Sequence, residues 1–143
     1  MRPQPLICVT DVERSSRWYQ AVLDCESGHG GEEYERLLYD GTLVMQLHRF
    51  EVEHHHGRIG DPAARPYGNG LALWFELDDF DAAVLRAHTL GADVARPPHR
   101  NPPNGPGGPA HREIWLRDPD GYLVVLAGRD GESPWPDPRV GRP

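Results

Sequence analysis

Long hydrophobic runs, cysteines and positive charge are all scarce in this sequence of 143 residues. The apolar run that ends before Asp11 is too short for a signal peptide or for the about 20 residues of a transmembrane helix, so we expect a cytoplasmic protein with no membrane partner. Cys8 and Cys25 are the only cysteines, which favours reduced thiols over a disulfide framework. Fifteen Lys and Arg stand against 22 Asp and Glu, a formal net charge of -7. Because no basic stripe is present to neutralise phosphates, we expect no nucleic-acid partner.

The first half of the chain alternates between strand and helix signals. Asp11 is a suitable N-cap for a helix over residues 12–23, where apolar side chains recur at helical spacing. The dipeptide Asp40-Gly41 tolerates the positive φ angles of a tight hairpin. Together these signals predict a β-α-β-β order, with strands at residues 5–9, 34–39 and 42–48 and a further short strand around 26–30.

The same order returns in the second half. Residues 71–77 predict a strand, and Asp79 caps a helix that ends at Gly91 and carries one apolar stripe of Phe80, Ala83, Val84, Ala87 and Leu90. The turn at 118–121 corresponds to the one at Asp40-Gly41. Because each half alone has too little core, the repeat predicts a single domain over residues 1–128. Its parts are module one (4–50), a linker (51–69) and module two (70–128), and a Pro-rich tail (129–143) follows.

Three segments carry a family resemblance: VTDVERSSRWYQAVLD, LDDFDAAVLRAHTLGADV and, above all, LRDPDGYLVVL. Over residues 4–128 the chain resembles the vicinal oxygen chelate superfamily, which includes glyoxalase I, bleomycin resistance proteins and extradiol dioxygenases. The resemblance implies an α+β fold of two fused β-α-β-β-β modules, whose curved mixed sheets surround a shared cavity. It also implies a homodimer.

Metal-binding members of this superfamily carry ligands on four strands, and the matching positions here are Gln4, Gln46, Ala72 and Val125. Ala72 and Val125 have no lone pair to offer, and two amide oxygens alone are poor ligands for a divalent cation. We therefore expect no metal in the usual site and no cofactor.

Side chains in phase with those four positions should face the cavity, because successive residues of a strand point to opposite faces. The predicted lining is Leu6, Cys8, Val44, Gln46, His48, Trp74, Glu76, Glu113, Trp115, Leu123 and Val125. From this set we expect the ligand contacts to be Cys8, Gln46, His48, Trp74, Glu76, Glu113 and Trp115. The opposite faces are apolar and should meet the helices, through Ile7, Leu47, Phe75, Ile114, Leu116 and Val124. Two tryptophans with a few polar groups suit a planar or cationic small molecule.

The leading functional hypothesis is a metal-independent binder of a small organic molecule, similar in mode to the bleomycin resistance proteins, with a sequestration or resistance role. The alternative is a lyase, isomerase or dioxygenase of the same superfamily acting on a small metabolite. Two residue sets belong to this alternative. Glu113 or Glu76 can act as a base with His48 as partner, or His48, His111 and Glu113 can form a 2-His-1-carboxylate iron site.

The remaining histidines lie in irregular segments. His54, His55 and His56 fall in the charged linker, where a solvated loop is the simpler interpretation. His99 and His111 flank a Pro- and Gly-rich excursion at 97–111 and, together with Asn101, can close over the mouth of the pocket.

Overall fold

The computed structural model contains two four-stranded mixed sheets, each covered by one helix. It describes residues 1–101 and 111–129. Module one contains β1 (Leu6–Val9), α1 (Val12–Leu23), β2 (Glu26–Ser27), β3 (Tyr34–Tyr39) and β4 (Thr42–Arg49). Module two contains β5 (Ala72–Leu77), α2 (Phe80–Leu90), β6 (Asp93–Asn101), β7 (His111–Arg117) and β8 (Leu123–Gly128). The predicted α+β repeat of β-α-β-β-β modules is confirmed.

The two sheets have the same topology. The strand orders are β1-β4-β3-β2 and β5-β8-β7-β6, so the first strand of each module pairs in parallel with its last strand. The other pairings are antiparallel, including the hairpins that turn at Asp40-Gly41 and at residues 118–121. The described helices include none that is both long and apolar enough to cross a bilayer.

Both helices begin at the aspartates that the sequence indicated. Asp11 accepts a hydrogen bond from the Arg14 N–H at 2.9 Å, and Asp79 accepts one from the Ala82 N–H at 2.9 Å. Gly91 ends α2 with a φ of 68°, a conformation in which a Cβ atom would be strained. Short-range capping chemistry therefore sets the helix boundaries.

The core lies between each sheet and the two helices. The predicted helix-facing residues Ile7, Leu47, Ile114, Leu116 and Val124 are all buried, and Phe75 packs against this cluster. These residues belong to the core, as expected, but Cys8, His48, Glu113 and Val125 on the opposite strand faces are also buried. The predicted ligand-facing set therefore stays a prediction.

The turn at 118–121, within module two, is hydrogen-bonded to module one. The Tyr19 hydroxyl on α1 donates to Asp118 Oδ2 at 2.8 Å, and the Tyr122 hydroxyl donates to the Cys8 carbonyl at 2.7 Å. The Thr10 N–H donates to Asp120 Oδ2 at 2.8 Å. Burial raises the pKa of the Asp118 carboxyl, although hydrogen bonds from Tyr19 and the turn backbone oppose the shift. The turn therefore contributes a buried polar contact between modules as well as a hairpin.

The predicted excursion at 97–111 is wrong in its first part, because residues 97–101 belong to β6. This strand is at the edge of its sheet, and its register shifts between Arg96 and His99, around Pro97 and Pro98. Edge positions and bulges tolerate proline, which has no N–H to donate. Residues 102–110, and the tail from residue 130, lie outside the described residues.

Candidate functional site

The four positions where the superfamily holds a metal do not fit a divalent cation in this chain. Ala72 and Val125 supply no donor atom, and Val125 is only 1% exposed. The Gln46 side chain is held at both ends, because its oxygen accepts from the Tyr34 hydroxyl and its nitrogen donates to the Gln4 carbonyl. These positions therefore do not supply a set of ligands for a divalent cation.

Two tryptophans instead flank Val125 on the open face of module two. Trp74 on β5 and Trp115 on β7 are both register partners of Val125 on the strand between them. Trp74 is 47% exposed, an unusual state for so large an apolar ring. With strands about 4.8 Å apart, the two tryptophan backbones are separated by about 10 Å. Val125, at a position that corresponds to a metal ligand in the superfamily, thus has a tryptophan on each neighbouring strand.

A buried carboxylate lies in the next row of the same face. Glu113 is 0% exposed, and both of its oxygens are engaged by protein groups. Oε1 accepts from Asn101 Nδ2 at 3.1 Å and from His111 Nε2 at 2.8 Å. Oε2 accepts from the Trp115 indole N–H at 2.9 Å and has His99 Nε2 at 3.5 Å. The donors thus surround the charge, as burial of a carboxylate requires.

This network sets the orientation of His111. A carboxylate can only accept, so His111 must carry its hydrogen on Nε2, which leaves Nδ1 to face away from Glu113. The His111 ring also contacts the Trp74 ring edge-to-face, with 5.7 Å between ring centres. The imidazole is therefore held from two sides beside the exposed indole.

A cavity of about 510 Å³ adjoins Trp74 and draws on both modules. Both faces of the edge strand β5 line it, through Trp74 and Glu76 on one face and Phe75 and Leu77 on the other. Val44, Tyr39 and Cys25 line it from module one. Burial raises the pKa of the Cys25 thiol to about 11, so this cysteine is a neutral apolar surface at neutral pH. Glu76 is exposed at the rim and pairs with Arg129 at 3.2 Å. The volume is within the range of small-molecule sites.

His48 occupies a different cavity. It is 3% exposed and lines, with linker histidines, a second cavity of about 580 Å³ whose walls come from module one and the linker. Cys8, its register partner on β1, is buried, and burial raises the pKa of its thiol. The iron set of His48, His111 and Glu113 is therefore not assembled: among the described residues no three His, Cys, Asp or Glu side chains are already placed around a metal position.

The predicted site residues thus fall into separate groups. Trp74 and Glu76 share the first cavity, Glu113 and Trp115 belong to the buried network, and His48 belongs to the second cavity. Direct ligand contact by any of the seven remains a prediction.

Sequence reasoning placed His99, Asn101 and His111 at a pocket mouth, whereas the structure places them around Glu113. The sequence pattern that predicts this cluster is the alternation of His111, Glu113 and Trp115, which puts three polar or aromatic side chains on one strand face.

A family model described as Glyoxalase/Bleomycin resistance protein/Dioxygenase superfamily matches residues 3–126. The fosfomycin resistance protein FosX from Mesorhizobium loti is 23% identical, with 90% of this chain and 91% of that chain covered and a TM-score of 0.60. A lactoylglutathione lyase from Agrobacterium tumefaciens is 16% identical, with 90% and 93% covered and a TM-score of 0.65. At such identities the likeness shows the fold alone. No curated protein matches the chain.

Proposed function

Since the chain belongs to the glyoxalase/bleomycin resistance protein/dioxygenase superfamily but has no donor atom at Ala72 or Val125, we propose that it binds a small planar organic molecule without the help of a metal. Its role in this proposal is to sequester the molecule without converting it, as the resemblance to bleomycin resistance proteins implies. The observation that carries the proposal is the exposed Trp74 ring, which lines a cavity of ligand size.

The exposed Trp74 ring supports an aromatic ligand. Trp74 lines the cavity, whereas Val125 is 1% exposed and is not part of the cavity lining, so a ligand in the cavity would meet the Trp74 ring. Stacked or edge-to-face aromatic pairs have ring centres about 4.5–7 Å apart. One face of Trp115 already meets the Arg96 guanidinium, 5.4 Å from the ring centre, so Trp74 is the more open of the two rings.

The buried network changes the expected polarity of the ligand. Glu113 is fully engaged by protein donors, so its charge is not available to a cationic ligand. His111 Nδ1 is the polar atom of this network that points away from the carboxylate. We therefore favour a planar ligand that hydrogen-bonds to an imidazole over an organic cation.

A second candidate, an acid–base enzyme of the lyase or isomerase type, is favoured by one specific contact. The 2.8 Å bond from His111 to Glu113 is the arrangement in which a carboxylate orients an imidazole and stabilises its protonated form. In that case the base is His111, with Glu113 as its positioning partner in place of the His48 pairing that the sequence suggested.

The proposal includes a homodimer. In the described residues β1 and β5 are both sheet-edge strands, and exposed apolar side chains lie on or next to them, Leu6 on β1 and Leu71 just before β5. Unpaired edges and exposed apolar surface both favour cover by a second copy of the chain.

Tryptophan fluorescence tests the binding site. A panel of planar heteroaromatic compounds should contain ligands that quench the emission of the native protein, and Trp74→Ala should weaken their binding by about 2 kcal/mol, or about 30-fold. Trp18→Phe is the matched control, because Trp18 packs on Tyr19 in α1. Equal affinity in native protein and Trp74→Ala would place the ligand elsewhere.

Mass spectrometry of the bound compound separates binder from enzyme. A sequestering protein returns the compound unchanged after prolonged incubation. If product accumulates, the acid–base candidate replaces the binder, and His111→Gln should then abolish turnover while affinity changes only a few-fold.

A further inference from the structure

Five histidines gather at the second cavity, which the proposed function does not use. His29, His48, His54, His55 and His56 all line this space of about 580 Å³, together with Leu6, Tyr34 and the loop at 30–33. It lies beside module one and the linker. The five side chains come from three separate stretches of sequence, so the fold brings them together.

His48 is the buried member of the group. Its Nδ1 lies 2.8 Å from the Arg49 carbonyl, which can only accept, so Nδ1 carries the hydrogen and Nε2 carries the lone pair. Nε2 is buried and has no hydrogen-bond partner. A buried polar atom without a partner costs free energy, and one explanation is an ion that belongs there.

The rings of His54 and His56 both contact the His48 ring. The His48 ring centre is 5.2 Å from that of His54 and 5.1 Å from that of His56, and the latter two are 5.8 Å apart. Three imidazoles in tetrahedral positions around one ion, at about 2.1 Å per metal–nitrogen bond, have ring centres about 5 Å apart. The observed triangle therefore has the size that a shared metal requires.

The tautomers also suit a metal. His56 Nδ1 lies 2.7 Å from the Gly57 carbonyl, so His56, like His48, donates from Nδ1 and keeps a lone pair on Nε2. A backbone carbonyl that accepts from one ring nitrogen while the other nitrogen binds metal is the usual support of a histidine ligand. His54 has a φ of 45°, a left-handed conformation that few residues other than glycine adopt.

Their nitrogens do not yet meet at one point, since the described residues contain no set of three that is already placed to hold a metal. His48 is fixed by its burial, but His54 and His56 are exposed linker residues. A shared ion requires both exposed imidazoles to turn toward His48 Nε2, which for His56 means giving up its contact with the Gly57 carbonyl. Such side-chain rotations are fast.

We propose that His48, His54 and His56 form a binding site for a divalent transition metal, with Zn²⁺ as the expected ion. Three neutral imidazoles suit Zn²⁺, Cu²⁺ and Ni²⁺, and three protein ligands would leave one coordination position for water or another ligand. The site shares no residue with the superfamily's four ligand positions. It departs from the expectation of no metal or cofactor, and it does not rest on the proposed ligand of Trp74.

Titration of tag-free, chelator-treated protein with zinc chloride tests the site by calorimetry, and Co²⁺ absorption reports the coordination geometry. We expect one Zn²⁺ per chain and a Co²⁺ spectrum of tetrahedral type. Loss of a residue that only supports a metal ligand weakens metal binding by about 10–100-fold. The double variant His54→Ala/His56→Ala removes two ligands, so it should weaken Zn²⁺ binding by more than this. His48→Ala should have the same effect, and the double variant covers the case in which loss of buried His48 prevents folding.

The matched control is His88→Ala, which removes an exposed histidine on α2. It should leave zinc affinity unchanged. Absence of zinc binding to the native protein, or zinc binding that survives in the double variant, would overturn the proposal. An equal loss in His88→Ala would overturn it as well, because binding would then reflect surface histidines in general.

Discussion

Replacing Glu113 by glutamine should destabilise the fold strongly, although the two side chains have nearly the same shape. The carboxylate is 0% exposed and accepts from Asn101, His111 and Trp115, with His99 Nε2 3.5 Å away. Asn101, His111 and Trp115 direct donor groups at the two oxygens, whereas His99 donates from Nδ1 to the Pro97 carbonyl and has no hydrogen bond from Nε2. An amide keeps one oxygen but places two N–H donors where the other oxygen was.

The magnitude follows from either orientation of the new amide. If the amide nitrogen of the glutamine replaces Oε2, it faces the Trp115 N–H. If the amide nitrogen replaces Oε1, it faces the donors of Asn101 and His111. Each orientation loses at least one hydrogen bond to a charged acceptor, about 1.5–3 kcal/mol, and leaves a buried donor unsatisfied, about 1–3 kcal/mol. The expected loss in free energy of unfolding is therefore about 3–5 kcal/mol, and the melting temperature should fall by about 10 °C.

Urea denaturation followed by circular dichroism measures this loss. The control is Glu32→Gln, since Glu32 is exposed, and it should change the free energy of unfolding by less than about 0.5 kcal/mol. A loss below about 1 kcal/mol in Glu113→Gln would show that the network contributes little to folding. It would also restore Glu113 as a residue whose charge is available to a ligand.

Three further predictions concern the module contact and the assembly. Tyr19→Phe should lower the free energy of unfolding by about 2 kcal/mol, because it removes a buried hydrogen bond to Asp118. Tyr39→Phe, at the exposed end of β3, is the control and should leave this free energy unchanged. Urea denaturation measures both variants. Burial raises the pKa of Asp118 above 3.8 in the folded protein, so the stability that this shift contributes is present below pH 3.8 and is lost as the pH rises through the folded pKa. In Asp118→Asn the free energy of unfolding should no longer decline over this pH range, which unfolding curves at several pH values would measure. Light scattering at micromolar concentration should give about twice the 16.0 kDa chain mass, and a single-chain mass would refute the dimer.

Much of the fold was predictable because its signals are local. Asp11 and Asp79 cap the helices that they precede, and Asp40-Gly41 forms the turn that its positive φ angles favour. Alternation within each strand also predicted that Leu47 and Ile114 belong to the core, and both are fully buried.

The candidate site was less predictable because its contacts are long-range. His99 meets Glu113 through the pairing of β6 with β7, and that pairing depends on a register shift around two prolines. His48 meets His54 and His56 because the linker folds back on β4, and linker conformations have no periodicity in the sequence. Residue types alone therefore identified most of the participants but not their partners.

The contact between Tyr19 and Asp118 can form only after Asp118 has been synthesised, so the protein cannot finish folding before then. The two residues are 99 positions apart, and the contact between Cys8 and Tyr122 spans 114. At a synthesis rate of about 5–20 residues per second, module one waits at least about 5 s on the ribosome before its acceptor for the Tyr19 hydroxyl exists. The amino-terminal half must therefore remain soluble as an incomplete unit, and its closure is a late event that needs nearly all of the domain to have been translated.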